Sequence, residues 1–332
     1  MKKVVWGIVS TAKIAREKVI PGMQKSPWIE IRAIASRTLS DAQATARALN
    51  IPRAYGNYEA LLADPEIEAI YNPLPNHLHV PVTLQAAAAG KHVLCEKPIA
   101  LTAEEASRLQ QAAKQVHIAE AFMVRFHPQW LRARELVNEG RAGALRAIQV
   151  FFSYSNHDPA NIRNIAGIGG GALYDIGCYP IVAGRFFFDA DALRVIALVD
   201  RDPQFATDRM TSALVDFGAG RHLDFTVSTQ LTLYQRVQLH GSKSRIEIQI
   251  PFNPAQGART KLFIDDGSAL DGSRLQIETL DESDQYMLQG EAFSRAIRGE
   301  ISLPYGIEDA VKNMRVIDAL FRSEQSGRWE QV

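Results

Sequence analysis

The chain has 332 residues, more than one hydrophobic core usually organises, so two domains of comparable size are expected. Hydrophobic residues at 46% against 22% charged are ordinary for packed cores and exclude a long disordered tail. Lys plus Arg and Asp plus Glu each number 37, so no charge excess draws the chain to a phosphate backbone or an anionic membrane, and neither nucleic acid nor membrane is an expected partner.

Cys95 and Cys178 lie far apart, in neither a disulfide framework nor a zinc spacing, which reads as reduced thiols, a cytoplasmic location and no metal site. The opening MKKVVWGIV has the two lysines and apolar run of a signal peptide, but it is short and Lys13 and Arg16 follow at once. No stretch approaches the ~20 apolar residues that span a bilayer.

Residues 3–9 form a short continuous apolar run, the pattern of a strand covered on both faces. A helical segment follows from about Ala12, which Pro21 should kink or end by removing an amide donor. Residues 29–36 predict a second strand, with Ser40 capping a helix that runs to Asn50. A third strand is expected at 68–72, a helix at 77–89 ending at Gly90, and a fourth strand at 91–95. Thr102 with Glu105 forms a capping box for a helix to about Val116, and 118–122 gives a last strand. This alternation predicts a doubly wound parallel Rossmann sheet over residues 1–122.

From 123 to 332 the rhythm changes. After one helix at 128–139, residues 144–155, 193–200, 211–217, 222–230, 234–240 and 245–250 read as strands, with period-two alternation at Ile246, Ile248 and Ile250. The expectation is an α+β domain with a large, mostly antiparallel open sheet, one face covered by helices near 286–298 and 307–324. The other face would remain apolar, and its burial predicts a homodimer or dimer of dimers formed through this sheet.

The first strand runs into Ser10, Thr11, Ala12, Lys13 and Ile14, where a glycine-rich dinucleotide loop would stand. Ser10 and Ala12 replace the glycines of a tight turn, so by itself the loop also reads as a plain strand-to-helix connection. Its place before a helix N-terminus, with free amides and a positive dipole end, favours an anion site. At the end of the second strand stand Ser36, Arg37 and Thr38, with no acid there to accept from the ribose hydroxyls. A guanidinium and two hydroxyls suit a 2′-phosphate, which favours NADP over NAD, although a lone arginine is more often a solvated loop residue. His77 and His79 lack the acidic or thiol partners of a metal set, and no Gly-x-Ser-x-Gly elbow occurs.

Cys95-Glu96-Lys97-Pro98 follows the fourth strand at the carboxyl edge, where open α/β sheets bind ligands. Together with Tyr71-Asn72-Pro73-Leu74-Pro75-Asn76-His77-Leu78-His79 and the segment Gly169-Gly170-Gly171-Ala172-Leu173-Tyr174-Asp175-Ile176-Gly177-Cys178-Tyr179-Pro180, it resembles the glucose-fructose oxidoreductase and inositol dehydrogenase (Gfo/Idh/MocA) family over essentially the whole chain. Asn161-Ile162-Arg163-Asn164 and the tyrosine at 179 are most similar to the branch of NADP-dependent D-xylose 1-dehydrogenases and dimeric dihydrodiol dehydrogenases.

The resemblance implies hydride transfer between NADP and a ring hydroxyl of a polyhydroxylated substrate, with Lys97 and Tyr179 handling the hydroxyl proton and Asp175, four residues before Tyr179, sharing their substrate if the segment is helical. It implies a cis Lys97-Pro98 bond, a glycine turn packed against the cofactor, and a cofactor lining of Pro73, Leu74, Asn76, His79, Glu96, Lys97 and Arg125, the last beside Glu120 and Phe126. Tyr154, Arg163 and Tyr286 carry over by position as substrate contacts, each equally readable as ordinary packing. The alternatives are a trans-dihydrodiol dehydrogenase or anhydrosugar reductase on the same residues, and, in a different class, a non-catalytic NADP-binding sensor.

Overall fold

A computed structural model describes residues 2–332, which fall into two compact units: residues 2–123 with 284–314, and residues 124–283 with 315–332. Among the described residues the first unit has strands β1 (Val4–Val9), β2 (Ile29–Ala35), β3 (Arg53–Tyr55), β4 (Ala69–Asn72), β5 (His92–Cys95) and β6 (Ile118–Glu120). They form one parallel sheet in the order β3-β2-β1-β4-β5-β6. The order reverses between β1 and β4, which opens a crevice at their carboxyl ends. β1 is buried throughout, as its unbroken apolar run predicts.

Three local expectations are corrected. The helix after β1 passes through Pro21 and ends at Met23, because a wide π turn at Ala15–Val19 lies just before the proline and the α segment starts afresh at Ile20, where the missing proline donor falls in the first turn. The next helix starts at Leu39 with Thr38, not Ser40, as N-cap; the Thr38 hydroxyl donates to Asp41 at 2.5 Å. The helix at Gln285–Ile297, expected on the antiparallel sheet, packs on the parallel one. Trp6 of β1 is fully buried and its indole N–H needs an acceptor, which Ser294 supplies at 3.1 Å while Phe293 tilts against the ring at 5.5 Å.

The second unit holds β7 (Leu145–Ser155), β8 (Arg194–Arg201), β9 (Asp208–Asp216), β10 (His222–Ser228), β11 (Gln230–Gly241), β12 (Arg245–Ile248), β13 (Thr260–Asp265), β14 (Gln276–Leu280) and β15 (Glu330–Gln331). They form a single sheet in the order β14-β13-β12-β11-β7-β10-β9-β8-β15, antiparallel except for the β10–β7 pair. Thus the expected large, mostly antiparallel sheet is present, and β13, β14 and β15 extend it beyond the strands legible in the sequence.

Register puts Val195, Val215, Leu223, Ile148, Leu239, Ile246 and Ile264 in one row across seven strands, all but Ile264 with no exposure. The helix Cys178–Phe188 is likewise buried over nearly its full length. On the opposite face the expected apolar surface is mixed instead. Leu198, Leu214 and Ile277 are exposed there, but Gln149 donates to Asp224, Gln238 to Glu247, and Ser212 and Thr226 share a hydrogen bond.

Candidate active site

Each unit gathers its own set of the expected site residues. In the parallel unit, Ser10 adopts φ +80°, the left-handed backbone that favours glycine, so the turn keeps its shape without a glycine. The Ser10 side chain offsets part of that strain by accepting a 3.0 Å hydrogen bond from the Ala12 amide. Thr11, Ala12 and Ile14 are half-buried around it, Lys13 is exposed, and Arg16 Nε donates to the Thr11 carbonyl. Ser36 is buried at the end of β2, whereas Arg37 and Thr38 are exposed. Arg37 lies near enough to Tyr58 to oppose the upward pull of burial on its phenol. Neither Tyr58 nor Asp41 was singled out in the sequence, because no motif marks them.

The loop after β4 is held at both ends by buried Asn72: its Oδ1 accepts from the Leu74 amide at 3.3 Å, and its Nδ2 donates to the His79 carbonyl and Thr83. His79 is 1% exposed, with Nδ1 2.7 Å from the Pro98 carbonyl and Nε2 2.6 Å from the Leu74 carbonyl. Burial outweighs both carbonyls and brings its pKa down to about 4, and the charge of Lys97 works in the same direction. His79 therefore lies between the Pro73–Asn76 loop and the Lys97-Pro98 loop, its single N–H donating to the carbonyl of one of them.

The Lys97-Pro98 bond is cis, and Lys97 is half-buried. Glu96 accepts from the Tyr71 hydroxyl at 2.6 Å, and burial with that carboxylate raises the phenol well above its ordinary range. Glu120 accepts from the Ile99 amide at 2.8 Å. Tyr286 follows Asp284, the N-cap of its helix, in this same unit; burial first, then Glu96 and Asp284, raises its phenol. Glu96 and Tyr71 thus form the rear support of the Lys97 strand end.

In the sheet unit, Tyr154, Arg163, Asp175 and Tyr179 are one cluster. The Tyr154 hydroxyl donates to Asp175 Oδ2 at 2.6 Å, and Arg163 Nε pairs with the same oxygen at 2.8 Å. Asp175 is the main cause of a raised Arg163 pKa, with Tyr154 and Tyr179 contributing. Asp175 and Tyr179 do share one helical segment, a wide π turn at Leu173–Gly177 that continues as the α-helix Cys178–Phe188. Tyr179 is 5% exposed, its ring 5.8 Å from Phe152 and 5.2 Å from Phe252. Arg125, in the short turn Met123–Phe126, is buried.

The glycine turn packs against its own chain. A Cβ at Gly170 would lie 2.7 Å from the Arg163 and Ile165 carbonyls, and one at Gly171 (φ +119°) would lie 1.9 Å from Asp208 Oδ1. The amides of Gly170 and Gly171 donate to those two carbonyls, so the glycines let the chain ahead of the helix fold back on the Arg163 segment.

A left-handed turn before a helix N-terminus, a cationic side chain beside the end of β2 and a β1/β4 crevice together fit a dinucleotide phosphate. The comparisons agree with that geometry. Residues 4–125 match the oxidoreductase family with an NAD-binding Rossmann fold, and residues 130–247 match the GFO/IDH/MocA C-terminal domain. An uncharacterized oxidoreductase of Rhizobium meliloti is 48% identical over the full length of both chains. A D-xylose 1-dehydrogenase (NADP(+)) of Haloferax volcanii is 38% identical over 97% of this chain and 98% of its own, and the mouse trans-1,2-dihydrobenzene-1,2-diol dehydrogenase 34% over 76% of each. A 3-ketoreductase from Actinomadura kijaniata, solved in complex with NADP and TDP-benzene, superposes with a TM-score of 0.90 at 27% identity, covering 97% of this chain and 98% of that one. With both domains matched in order on a fold of this topology, the chain belongs to the GFO/IDH/MocA family of oxidoreductases.

Proposed function

We propose that the protein is an NADP-dependent aldose 1-dehydrogenase that oxidises the C1 hydroxyl of a D-xylose-like pyranose to the lactone, reversibly. The observation that carries this reading is the Tyr154–Asp175–Arg163 cluster at the opening of the Tyr179 helix. A carboxylate held by a phenol and a guanidinium is a rigid hydrogen-bonding platform for a hydroxylated ring. The D-xylose 1-dehydrogenase relative, similar from end to end, points the same way.

NADP, when bound, supplies the two-electron acceptor. The chain's own groups do the rest. The Ser10–Ile14 turn would hold the pyrophosphate through its remaining amides, since that of Ser10 donates to the Ala35 carbonyl and that of Ala12 to Ser10 Oγ, and Ser36, Arg37 and Thr38 would hold the 2′-phosphate. Pro73, Leu74 and Asn76, beside His79, line the nicotinamide side together with Glu96, Lys97 and Arg125. Tyr154, Arg163, Asp175 and Tyr286 orient the sugar. Tyr179 takes the C1 hydroxyl proton as the carbonyl forms, and the family resemblance assigns Lys97 to the same proton.

A trans-dihydrodiol dehydrogenase is the second reading, favoured by the 34% identical mouse relative. Reduced-nicotinamide formation from NADP and from NAD across pentoses, hexoses, anhydrosugars and dihydrodiols tests both. Turnover highest on an aldose with NADP is expected, and cofactor binding without turnover on any of them would instead identify a sensor. We further infer a cytoplasmic protein, with Cys95 and Cys178 buried and in no disulfide, that dimerises through the nine-stranded sheet, where Leu198 is 77% exposed and Ile277 55%. A monomeric mass in light scattering at micromolar concentration would contradict the dimer.

A further inference from the structure

Asp208, the first residue of β9, has no place in the chemistry above, yet it is 1% exposed and ionisable. Its Oδ2 accepts from the Leu173 amide at 2.6 Å and from the Thr211 hydroxyl at 3.2 Å. Its Oδ1 occupies the space that any side chain at Gly171 would need, 1.9 Å from a Cβ there. Leu173 opens the π turn that bears Asp175, and the Asp175 amide in turn donates to the Gly171 carbonyl at 3.1 Å. One carboxylate therefore bonds the Leu173 amide and fills the space beside Gly171, at the point where the chain's direction into the Tyr179 helix is set.

We propose that Asp208 is a positioning residue, a buried latch that fixes the Gly169–Gly171 turn and through it the register of Asp175 and Tyr179. The proposal rests on the reading of those two residues as the substrate and proton-transfer groups. A residue retained for stability alone would be a poor choice here, because the fold resists its ionisation: burial raises its pKa to about 7, against the hydrogen bonds from Leu173 and Thr211. The charged and titratable groups facing it are Arg201 of β8, itself paired with Glu324 at 2.6 Å, and Tyr154 of β7; from the turn it meets backbone.

The sign follows. The folded pKa lies above the ordinary carboxylate value of ~3.9, so the stability this group contributes is present below about pH 4 and is lost as pH rises through about 7. The ionised form is the better acceptor for the Leu173 amide, so the latch tightens over the same rise.

The test compares wild type with Asp208→Asn and Asp208→Ala. Asn keeps the shape and one acceptor but cannot ionise. Wild-type kcat should show an inflexion near pH 7 that Asp208→Asn lacks, the ratio of the two growing by about threefold or more between about pH 6 and pH 8. Over the same rise the melting temperature of wild type should fall relative to that of Asp208→Asn. Asp208→Ala should lower kcat by ~10-fold or more while NADP affinity stays within about twofold, as misplacement of a reacting group predicts. Superimposable kcat–pH profiles for wild type and Asp208→Asn would overturn the latch.

Should wild type turn over no sugar or diol, the functional reading fails by itself, and hydrogen exchange at the Leu173 amide still decides the latch. Relative to its intrinsic rate, that amide should exchange ~10-fold faster or more in Asp208→Ala, and wild-type protection should rise through pH 7 where that of Asp208→Asn does not. Unchanged Leu173 protection in Asp208→Ala overturns it.

Discussion

In the parallel unit the candidate site is bounded mainly by backbone: the Ser10 turn, the amides after it, and two loops whose carbonyls flank His79. In the sheet unit it is made of side chains, with Asp175 receiving Tyr154 and Arg163 on one oxygen and Asp208 bonded to the Leu173 amide. The contrast fits what each would recognise under the proposed function. A dinucleotide phosphate is the same in every enzyme that uses it, and helix-end amides bind it whatever side chains surround them. A sugar differs from its isomers by the direction of a hydroxyl, which requires polar side chains held at fixed positions. The first unit should therefore tolerate side-chain changes that the second does not.

The largest expected effect tests the side-chain half. Tyr179→Phe should leave NADP affinity within about twofold and lower turnover by ~10²- to 10⁴-fold, the range of general acid–base groups. Lys97→Met should do the same, and the double variant should lose little more than either single one, since both serve one proton. Additive losses would assign Lys97 a separate role, and near-normal turnover in Tyr179→Phe would move proton transfer to Asp175.

Next comes Arg37, proposed to favour NADP over NAD. Arg37→Asp should weaken NADP by ~10- to 100-fold, the worth of a charge-assisted hydrogen bond, and weaken NAD far less. Equal losses for both cofactors, measured by fluorescence titration, would remove the NADP assignment.

His79 comes third. His79→Ala should cost about 1–3 kcal/mol by leaving a buried carbonyl unmatched, read as a lower midpoint in urea. Because burial lowers the folded pKa of His79 to about 4, below its ordinary 6.5, its contribution to stability is present above pH 6.5 and is lost as pH falls through about 4. The acid side of the stability profile should flatten in the variant, and a profile identical to wild type would mean that the ring does not titrate with folding. Smallest is the turn: Ser10→Ala should lose about 1 kcal/mol by removing the hydroxyl that accepts from Ala12, while Ser10→Gly should stay within about 0.5 kcal/mol of wild type, because relief of the left-handed strain offsets that loss. A drop in Ser10→Gly as large as in Ser10→Ala would show that the strain is negligible.

The alternation of buried runs and amphipathic helices fixes a parallel sheet because such strands can be covered only by helices on both faces, and that was legible from residue 3 to residue 122. The motifs around Asn72, Glu96-Lys97-Pro98 and Tyr179 were legible too, as local spacing on strand ends and a helix start. What each motif residue does was not. That His79 also lies between the Leu74 and Pro98 carbonyls is seen only in the tertiary structure. Asp208 carries no motif, and its importance appears only when β9 brings it against a glycine 37 positions earlier. The helix at 285–297 has an amphipathic pattern that says it must bury a face, but the partner is chosen by a tryptophan indole in β1 that needs a serine hydroxyl. Periodicity and turn chemistry act within a few residues, so the chain states them directly. Hydrogen-bond partners of buried polar groups are found across hundreds of residues, and tertiary structure alone decides them.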